Sequence, residues 1–326
     1  MAATSEQQRP ARSGLEIRDV YYRGKLVMKR GHAPMLNVEY NPGGCGCYRD
    51  WQDQEQSIRA DHQITPPSSG YFEPTFPAET VCDHSTSNTS PVGDCPWGGS
   101  GPCNSGVAAE KYADHLVMST QFAAGWYRYT MRWTFYLDGR IEPRWGFGTA
   151  NTSCSTATHR HHVYWRFDFD IDGADGDSVN EGAQVFTTEA ARTWGDGSVT
   201  WEVHDGTTGR GYRLVPGTND VELPSDGYSK TDFMATLYHS GELQDNDQGL
   251  GDCAVEVEDL VNSESIQNAD VVLYYRGGVQ DVVNSNIYFC KTVGPTLVPL
   301  GDWGAGNIFG DGFETGDASA WSGAVP

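Results

Sequence analysis

The chain has 326 residues, of which 12% are aromatic, and its formal net charge at pH 7 is −22. Such a charge repels nucleic acids and anionic membranes and attracts cations, which argues against a nucleic-acid partner. The sequence contains no apolar run of about 18 residues, the length that a membrane-spanning helix needs. The length fits one large β domain or two ordinary ones, and the content of Gly, Trp and Tyr favours strands and turns.

Taken in chain order, the sequence predicts a flexible polar leader (1–14), a single β domain (15–302) and a Gly- and Asp-rich C-terminal tail (303–326). The β domain includes an irregular region rich in Gly, Pro, Ser and Cys at 41–107. Asp138-Gly139 lies between two alternating apolar–polar stretches and predicts a hairpin turn. Further strands are predicted at 159–172, 184–188, 198–204, 210–215, 231–239, 254–259, 270–276 and 286–291. The pattern predicts a mainly β protein, a large antiparallel β-sandwich.

The cysteine content favours an oxidising compartment. The chain has eight cysteines and no CxxC pair, which predicts disulfide bonds rather than a zinc ribbon. Cys45 and Cys47 are too close to pair comfortably with each other, so each is expected to bridge elsewhere, with a soft metal ligand as the alternative. The protein is therefore expected to be secreted or extracellular, or else periplasmic, with its signal peptide absent from this chain.

The densest histidine cluster is His159-Arg160-His161-His162. Because side chains alternate along a strand, His159 and His161 are expected on one face, about 7 Å apart along the strand, and His162 on the other. Two imidazoles on one face can converge on a single metal ion. The alternative is a set of surface or core histidines that bind no metal.

The residues around this cluster resemble the metal-binding motif of copper amine oxidases of the topaquinone type. The run from His159 to Gly173, HRHHVYWRFDFDIDG, matches the family pattern of HxH, a strand, an Arg and a DxDIDG run without gaps. Upstream, the segment 126–129 resembles the one that carries the family's cofactor tyrosine, which falls on Tyr127. The resemblance covers about residues 115–281 and implies a sandwich of the copper amine oxidase catalytic-domain type.

The resemblance implies a copper site with an unusual third ligand. The strand 270–278 resembles the one that leads to the family's third copper histidine, and here that position falls on Asp281. His159, His161 and Asp281 would form a two-histidine, one-carboxylate set, which suits several metals besides copper. The alternative is that Asp281 is an exposed turn residue and the site has two ligands or none.

The cofactor tyrosine and the general base also depart from the family pattern. The family has Asn before the tyrosine and an acid after it, whereas this chain has Trp126 and Arg128. The resemblance implies that Tyr127 becomes topaquinone, and the alternative is a packed aromatic residue. The family's aspartate base falls on Asn37, which cannot abstract a proton, so Glu39 is the nearest substitute.

The resemblance further implies a peripheral calcium-type site. Its members would be the carboxylates of Asp168, Asp170 and Asp270 and the carbonyl oxygens of Phe169 and Val271, and hard oxygen ligands suit Ca²⁺. An EF-hand is excluded because Val179 occupies the twelfth loop position, which needs Glu. A solvated acidic turn is the remaining alternative.

Two functions follow from this resemblance. The first is a copper-dependent oxidoreductase that oxidises primary amines with O₂ and takes small cationic amines as substrates. The second is a catalytically inactive, amine-oxidase-like scaffold that binds metal or interacts at a surface. The family implies a homodimer, and the tail resembles those of bacterial secreted proteins.

Overall fold

The computed structural model describes residues 2–4, 15–41, 47–51, 108–124, 127–149, 158–193, 200–217, 220, 231–240, 257–281 and 287–304. These residues form two antiparallel sheets and a short 3₁₀ helix at Val257–Leu260. The predicted mainly β fold and antiparallel sandwich are confirmed. None of the helical structure in these residues has the length and hydrophobicity needed to cross a membrane.

The first sheet contains eight strands within the described residues. They are β1 (Ala2–Thr4), β2 (Ile17–Tyr22), β3 (Lys25–Asn41), β4 (Cys47–Trp51), β9 (Thr158–Phe169), β12 (Ala190–Arg192), β15 (Phe233–Leu237) and β16 (Val271–Asp281). Their order is β1-β2-β3-β9-β16-β15-β12, and β4 also pairs with β3. The long strands β3 and β16 therefore flank β9, which carries the histidine cluster.

The second sheet contains ten strands within the described residues. They are β5 (Ala108–Lys111), β6 (His115–Ala124), β7 (Tyr127–Tyr136), β8 (Ile141–Thr149), β10 (Asp177–Glu181), β11 (Gln184–Val185), β13 (Trp201–Asp205), β14 (Gly211–Val215), β17 (Ile287–Val293) and β18 (Thr296–Leu300). Their order is β11-β10-β13-β14-β18-β8-β7-β6-β5, with β17 also paired with β8. The predicted turn at Asp138-Gly139 joins β7 to β8.

The interior lies between the two sheets and is dominated by aromatic side chains. Trp165 of β9 meets Trp133 of β7 edge-on, with ring centroids 5.3 Å apart. Trp201 of β13 stacks on Phe233 of β15 at 4.3 Å. All four side chains are buried, and each contributes about 1.5–3 kcal/mol through its removal from water. These contacts fix which face of β9 points into the sandwich.

Strand β9 is also buried on its outer face. A second apolar cluster lies there, formed by Met35, Tyr164, Met234, Val272 and Tyr274. Leu260, at the end of the 3₁₀ helix, and Val261 after it pack against this cluster. The predicted strand at 254–259 is therefore wrong from Val257 onward, because the chain turns there to cover the outer face.

A few residues of the predicted leader and of the predicted tail are among those that the structure describes. Ala2–Thr4, within the predicted leader, pairs with β2. Trp303, at the start of the predicted tail, packs against Tyr22 and Tyr212 with ring centroids 5.5 Å away in both cases. Most of the region 41–107, the tail beyond 304, and six of the eight cysteines lie outside the described residues. The domain boundaries and the disulfide bonds stay predictions.

Candidate metal centres

The strand geometry brings His159 and His161 together on the inner face of β9. Both side chains are fully buried, and their ring centroids lie 5.1 Å apart. Trp145 of β8 closes the opposite side, with its ring centroid 5.6 Å from that of His161. Burial, followed by the neighbouring histidines His159 and His162, holds the pKa of His161 well below its ordinary value. His161 is therefore neutral at pH 7, the form of imidazole that binds a metal ion.

The strand register places Asp281 beside His159. In the pairing of β9 with β16, His159 lies directly opposite Asp281 and His161 opposite Val279. Directly paired residues of antiparallel strands share a face and have Cβ atoms about 5 Å apart. On the other side of β9, His159 pairs with Tyr40 of β3. The backbone thus brings the three predicted copper ligands into one corner of the first sheet.

The register separates Glu39 from the histidine pair. Glu39 pairs with Arg160, whereas His161 pairs with Val38. A shift of one residue along a strand changes the face, so Glu39 lies out of phase with the histidines. Asn37 pairs with His162 and is likewise out of phase.

A carboxylate residue that sequence reasoning missed occupies an in-phase position. Asp50 of β4 pairs with Leu36, and Leu36 pairs with Val163 on the inner face of β9. Asp50 therefore shares the register phase of His161. Its position depends on how β4 pairs with β3, and the sequence alone carried no signal for that pairing.

The register of β7 places Tyr127 in phase with the core. Its strand neighbours Met131 and Trp133 are fully buried between the sheets. Trp145, which packs against His161, is the direct partner of Met131. Trp133 packs against Trp165, which lies four residues after His161 on β9. Moving along β7 toward Tyr127 therefore corresponds to moving along β9 toward the histidine pair, so both lie at the same end of the sandwich.

His162 belongs to a separate polar network on the outer face. Its Nδ1 accepts a hydrogen bond from Arg276 Nη1 at 3.0 Å, because a guanidinium can only donate. Arg276 in turn donates from Nε to Asp232 at 2.8 Å, and both residues of this ion pair are buried. The network explains why the third member of the cluster does not join His159 and His161.

At the other end of β9, the structure brings Asp168, Asp170 and Asp270 together. One carboxylate oxygen from each lies within 4.8 Å of the others, a spacing that suits a shared metal ion. Phe169 pairs with Val271, so both backbone segments of the predicted calcium-type site meet here. Asp168 and Asp170 are buried, which a solvated acidic turn would not be.

Burial and mutual repulsion dominate the electrostatics of this acidic cluster. Burial, reinforced by the charge of Asp168, raises the pKa of Asp170 to about 6 and that of Asp270 to about 7. Arg166, fully buried, offsets part of the charge because its Nη1 lies 3.6 Å from Asp168 Oδ2. Arg30 and Lys29 add further positive charge near Asp168, yet the pKa values of all three carboxylates stay raised, and a divalent cation would favour their ionised forms.

Asp177, the first residue of β10, is a further acidic residue near this cluster that sequence reasoning did not single out. It is fully buried, and its Oδ2 accepts a hydrogen bond from the backbone N–H of Ile171 at 3.3 Å. Burial, followed by the charges of Asp205, Asp170 and Asp270, raises the pKa of Asp177 to about 8. The sequence carried a weak signal, two further acidic residues, Asp175 and Asp177, shortly after the DxDIDG run.

Comparison with known proteins adds the fold relationship. No protein-family model matches the chain, and no curated protein sequence matches it. Solved structures do match, and each match covers 89% of this chain. Aspergillus nidulans amine oxidase has 16% sequence identity and a TM-score of 0.54, with 49% of that chain covered. Pichia pastoris lysyl oxidase PPLO has 15% identity and a TM-score of 0.56, with 50% covered, and a copper-containing benzylamine oxidase from Hansenula polymorpha has 13% identity and a TM-score of 0.56, with 57% covered. The chain spans about half the length of these proteins. It adopts the fold of copper amine oxidases with a strongly divergent sequence.

Proposed function

We propose that this chain is a copper-binding protein on an amine-oxidase-like scaffold and that it oxidises primary amines with O₂. The observation that carries the proposal is the buried pair His159 and His161, with ring centroids 5.1 Å apart, on the face that meets the second sheet. Two imidazoles with a carboxylate at Asp281 form a donor set that copper accepts.

Tyr127 is the residue that the reaction requires next. Bound copper and O₂ would supply the oxidation of its phenol to topaquinone, which accepts two electrons from the amine. In the balanced reaction, a primary amine, O₂ and water give an aldehyde, ammonia and hydrogen peroxide. The proposal is supported by the in-phase register of Tyr127 at the histidine end of the sandwich.

A base must remove the proton from the carbon next to the amine nitrogen. Glu39 is the sequence-based choice for this role, and the in-phase register of Asp50 makes it the competing choice. Amine turnover by Glu39→Gln and Asp50→Asn separates the two: the variant that loses turnover while keeping its quinone identifies the base.

The scaffold would also hold a calcium ion. Asp168, Asp170 and Asp270 would bind it with their carboxylates, and the carbonyls of Phe169 and Val271 would add two ligands. This proposal is supported by the convergence of the three carboxylates. Because β9 and β16 bear both these ligands and the copper ligands, the ion would stabilise the strand pair on which copper binding depends.

The setting of the protein remains an expectation from its sequence. We propose a secreted or extracellular protein of bacterial origin, with disulfide bonds, that acts as a homodimer. The net charge of −22 would attract small cationic amines toward the site.

The second candidate function is an inactive, metal-binding scaffold. It is favoured by the aspartate at the third ligand position and by the out-of-phase register of Glu39. Such a protein would bind copper without forming a quinone.

Aerobic copper loading followed by a redox-cycling quinone stain distinguishes the two functions. We expect the wild-type protein and Tyr129→Phe to stain and Tyr127→Phe to remain unstained, since Tyr129 lies two residues away in the same register phase. Metal analysis checks that every variant holds copper. Copper-loaded wild-type protein that does not stain would rule out the oxidase and leave the scaffold.

A further inference from the structure

We infer that Asp177 is a fourth, water-mediated carboxylate of the cation site formed by Asp168, Asp170 and Asp270, and that it strengthens cation binding there. The inference rests on the proposed calcium-type site. It concerns a residue of the second sheet, whereas the other three carboxylates belong to the first sheet or border it.

The backbone holds Asp177 between the two segments that carry the other carboxylates. It pairs with Ala269, the residue before Asp270, in an isolated β-bridge. Its Oδ2 accepts the N–H of Ile171, the residue after Asp170, at 3.3 Å. Two independent contacts therefore place Asp177 next to both sides of the acidic cluster.

The second oxygen of Asp177, Oδ1, has no hydrogen-bond partner within the part of the chain that the structure describes, and the side chain is fully buried. Burying a carboxylate oxygen without a donor or a cation is unfavourable, and native structures rarely tolerate it. By contrast, the neighbouring carboxylate of Asp205 accepts hydrogen bonds from the N–H of Thr208 at 2.6 Å and from its hydroxyl group.

A bound cation with its water would satisfy this oxygen. Asp177 is not part of the group whose oxygens lie within 4.8 Å of one another, so it would reach the ion through a coordinated water. Ca²⁺ takes about six to eight oxygen ligands, so a coordinated water can stand beside the three carboxylates and two carbonyls, and Asp177 would accept a hydrogen bond from that water.

The consequence is a cation that ties the two sheets together. Asp168 lies in β9 and Asp270 directly precedes β16 of the first sheet, while Asp177 begins β10 of the second. The loop 170–176 connects these sheets; it begins with Asp170, and Asp177 follows it directly. Cation binding should therefore stabilise the junction and raise the temperature of unfolding.

Terbium luminescence on the full-length, chelator-treated protein tests the inference. Tb³⁺ replaces Ca²⁺ at oxygen sites, and competition by Ca²⁺ gives the Ca²⁺ affinity. We expect Asp177→Asn to weaken Ca²⁺ binding by roughly 10-fold or more, the loss that removal of an outer ligand of a metal site commonly causes. The matched control Asp205→Asn removes a nearby carboxylate that is already hydrogen-bonded and should change this affinity by about 2-fold at most.

The other outcomes separate this inference from the site on which it rests. If Asp168→Asn abolishes Tb³⁺ binding while Asp177→Asn binds Ca²⁺ as wild type does, Asp177 is no ligand and the calcium-type site stands. A wild-type protein that binds neither Tb³⁺ nor Ca²⁺ overturns both. The Ca²⁺-induced rise in unfolding temperature provides a second readout: it should shrink in Asp177→Asn and persist in Asp205→Asn, and an unchanged rise in Asp177→Asn contradicts the inference.

Discussion

The two candidate centres lie at opposite ends of the same strand pair and differ in the chemistry of their ligands. At the acidic end, three carboxylates converge within 4.8 Å, two of them two residues apart in sequence. At the histidine end, β9 supplies both imidazoles, and the third position depends on how β16 pairs with it. In both centres, two residues spaced two apart at one end of β9 are joined by a third at the facing end of β16, so the centres share a construction and differ in the chemistry of their ligands.

One ladder nevertheless aligns both centres. Strands β9 and β16 pair without interruption from Phe169 and Val271 to His159 and Asp281. A slip of one residue would move Asp281 to the opposite face and shift Asp270 along β9. The ligands of both centres are therefore positioned by the same strand register, although they are chemically unrelated.

The largest expected effect comes from removing one ligand at each end. We expect His161→Ala to weaken copper binding by at least about 100-fold and to leave Tb³⁺ binding unchanged, because even outer ligands are commonly worth about 10- to 100-fold. Asp270→Asn should do the opposite. Isothermal titration with copper and terbium luminescence measure the two affinities.

The control for these variants is His204→Ala, which removes a histidine on β13 whose Nε2 lies 2.8 Å from Glu202 and which belongs to neither ligand set. It should leave both affinities unchanged. Loss of both affinities in either ligand variant would show that the centres are not independent and that the shared ladder itself has been disturbed.

The alternation of side chains made much of this arrangement predictable. The HxH spacing alone placed His159 and His161 on one face, and the DxD spacing did the same for Asp168 and Asp170. The hairpin turn at Asp138-Gly139 followed from its residue types. These features depend on neighbours in sequence, and local physics determines them.

Features set by strand pairing were not predictable in the same way. Glu39 and Val38 are adjacent in sequence, yet only the pairing with β9 shows which of them shares the phase of His161. Asp177 and Asp270 are 93 positions apart, and their segments meet only through the bridge to Ala269. A single sequence gives no access to such long-range contacts.

An intermediate effect is expected at the middle of the ladder. Tyr275 of β16 donates a hydrogen bond to Asp220, which also accepts the N–H groups of Gly217 at 3.1 Å and Gly294 at 3.0 Å. Burial raises the pKa of Asp220 to about 7 from its ordinary value of 3.8. The folded protein therefore binds this proton more tightly than the unfolded chain does, so the resulting stabilisation is complete below pH 3.8 and is lost as the pH rises toward 7.

Asp220→Asn should remove this pH dependence. Between pH 4 and pH 7, the wild-type protein should lose on the order of 2 kcal/mol of stability relative to the variant, after allowance for partial solvent exposure. Urea unfolding at several pH values measures the difference. A difference in unfolding free energy that does not vary with pH would show that Asp220 is ionised throughout and acts only as a hydrogen-bond acceptor.

The smallest expected effect distinguishes the acidic cluster from an ordinary calcium loop. Asp172 belongs to the same DxDIDG run, and in an EF-hand it would be a ligand. Here its Oδ2 accepts hydrogen bonds from Arg210 Nε at 2.6 Å and from Thr208 at 3.2 Å. Because this ion pair is partly exposed, Asp172→Asn should cost about 0.5 kcal/mol or less and change Tb³⁺ affinity by about 2-fold at most. The same substitution at Asp170 should abolish Tb³⁺ binding, and equal losses in the two variants would mean that the loop binds its cation as a continuous acidic turn rather than through convergence with β16.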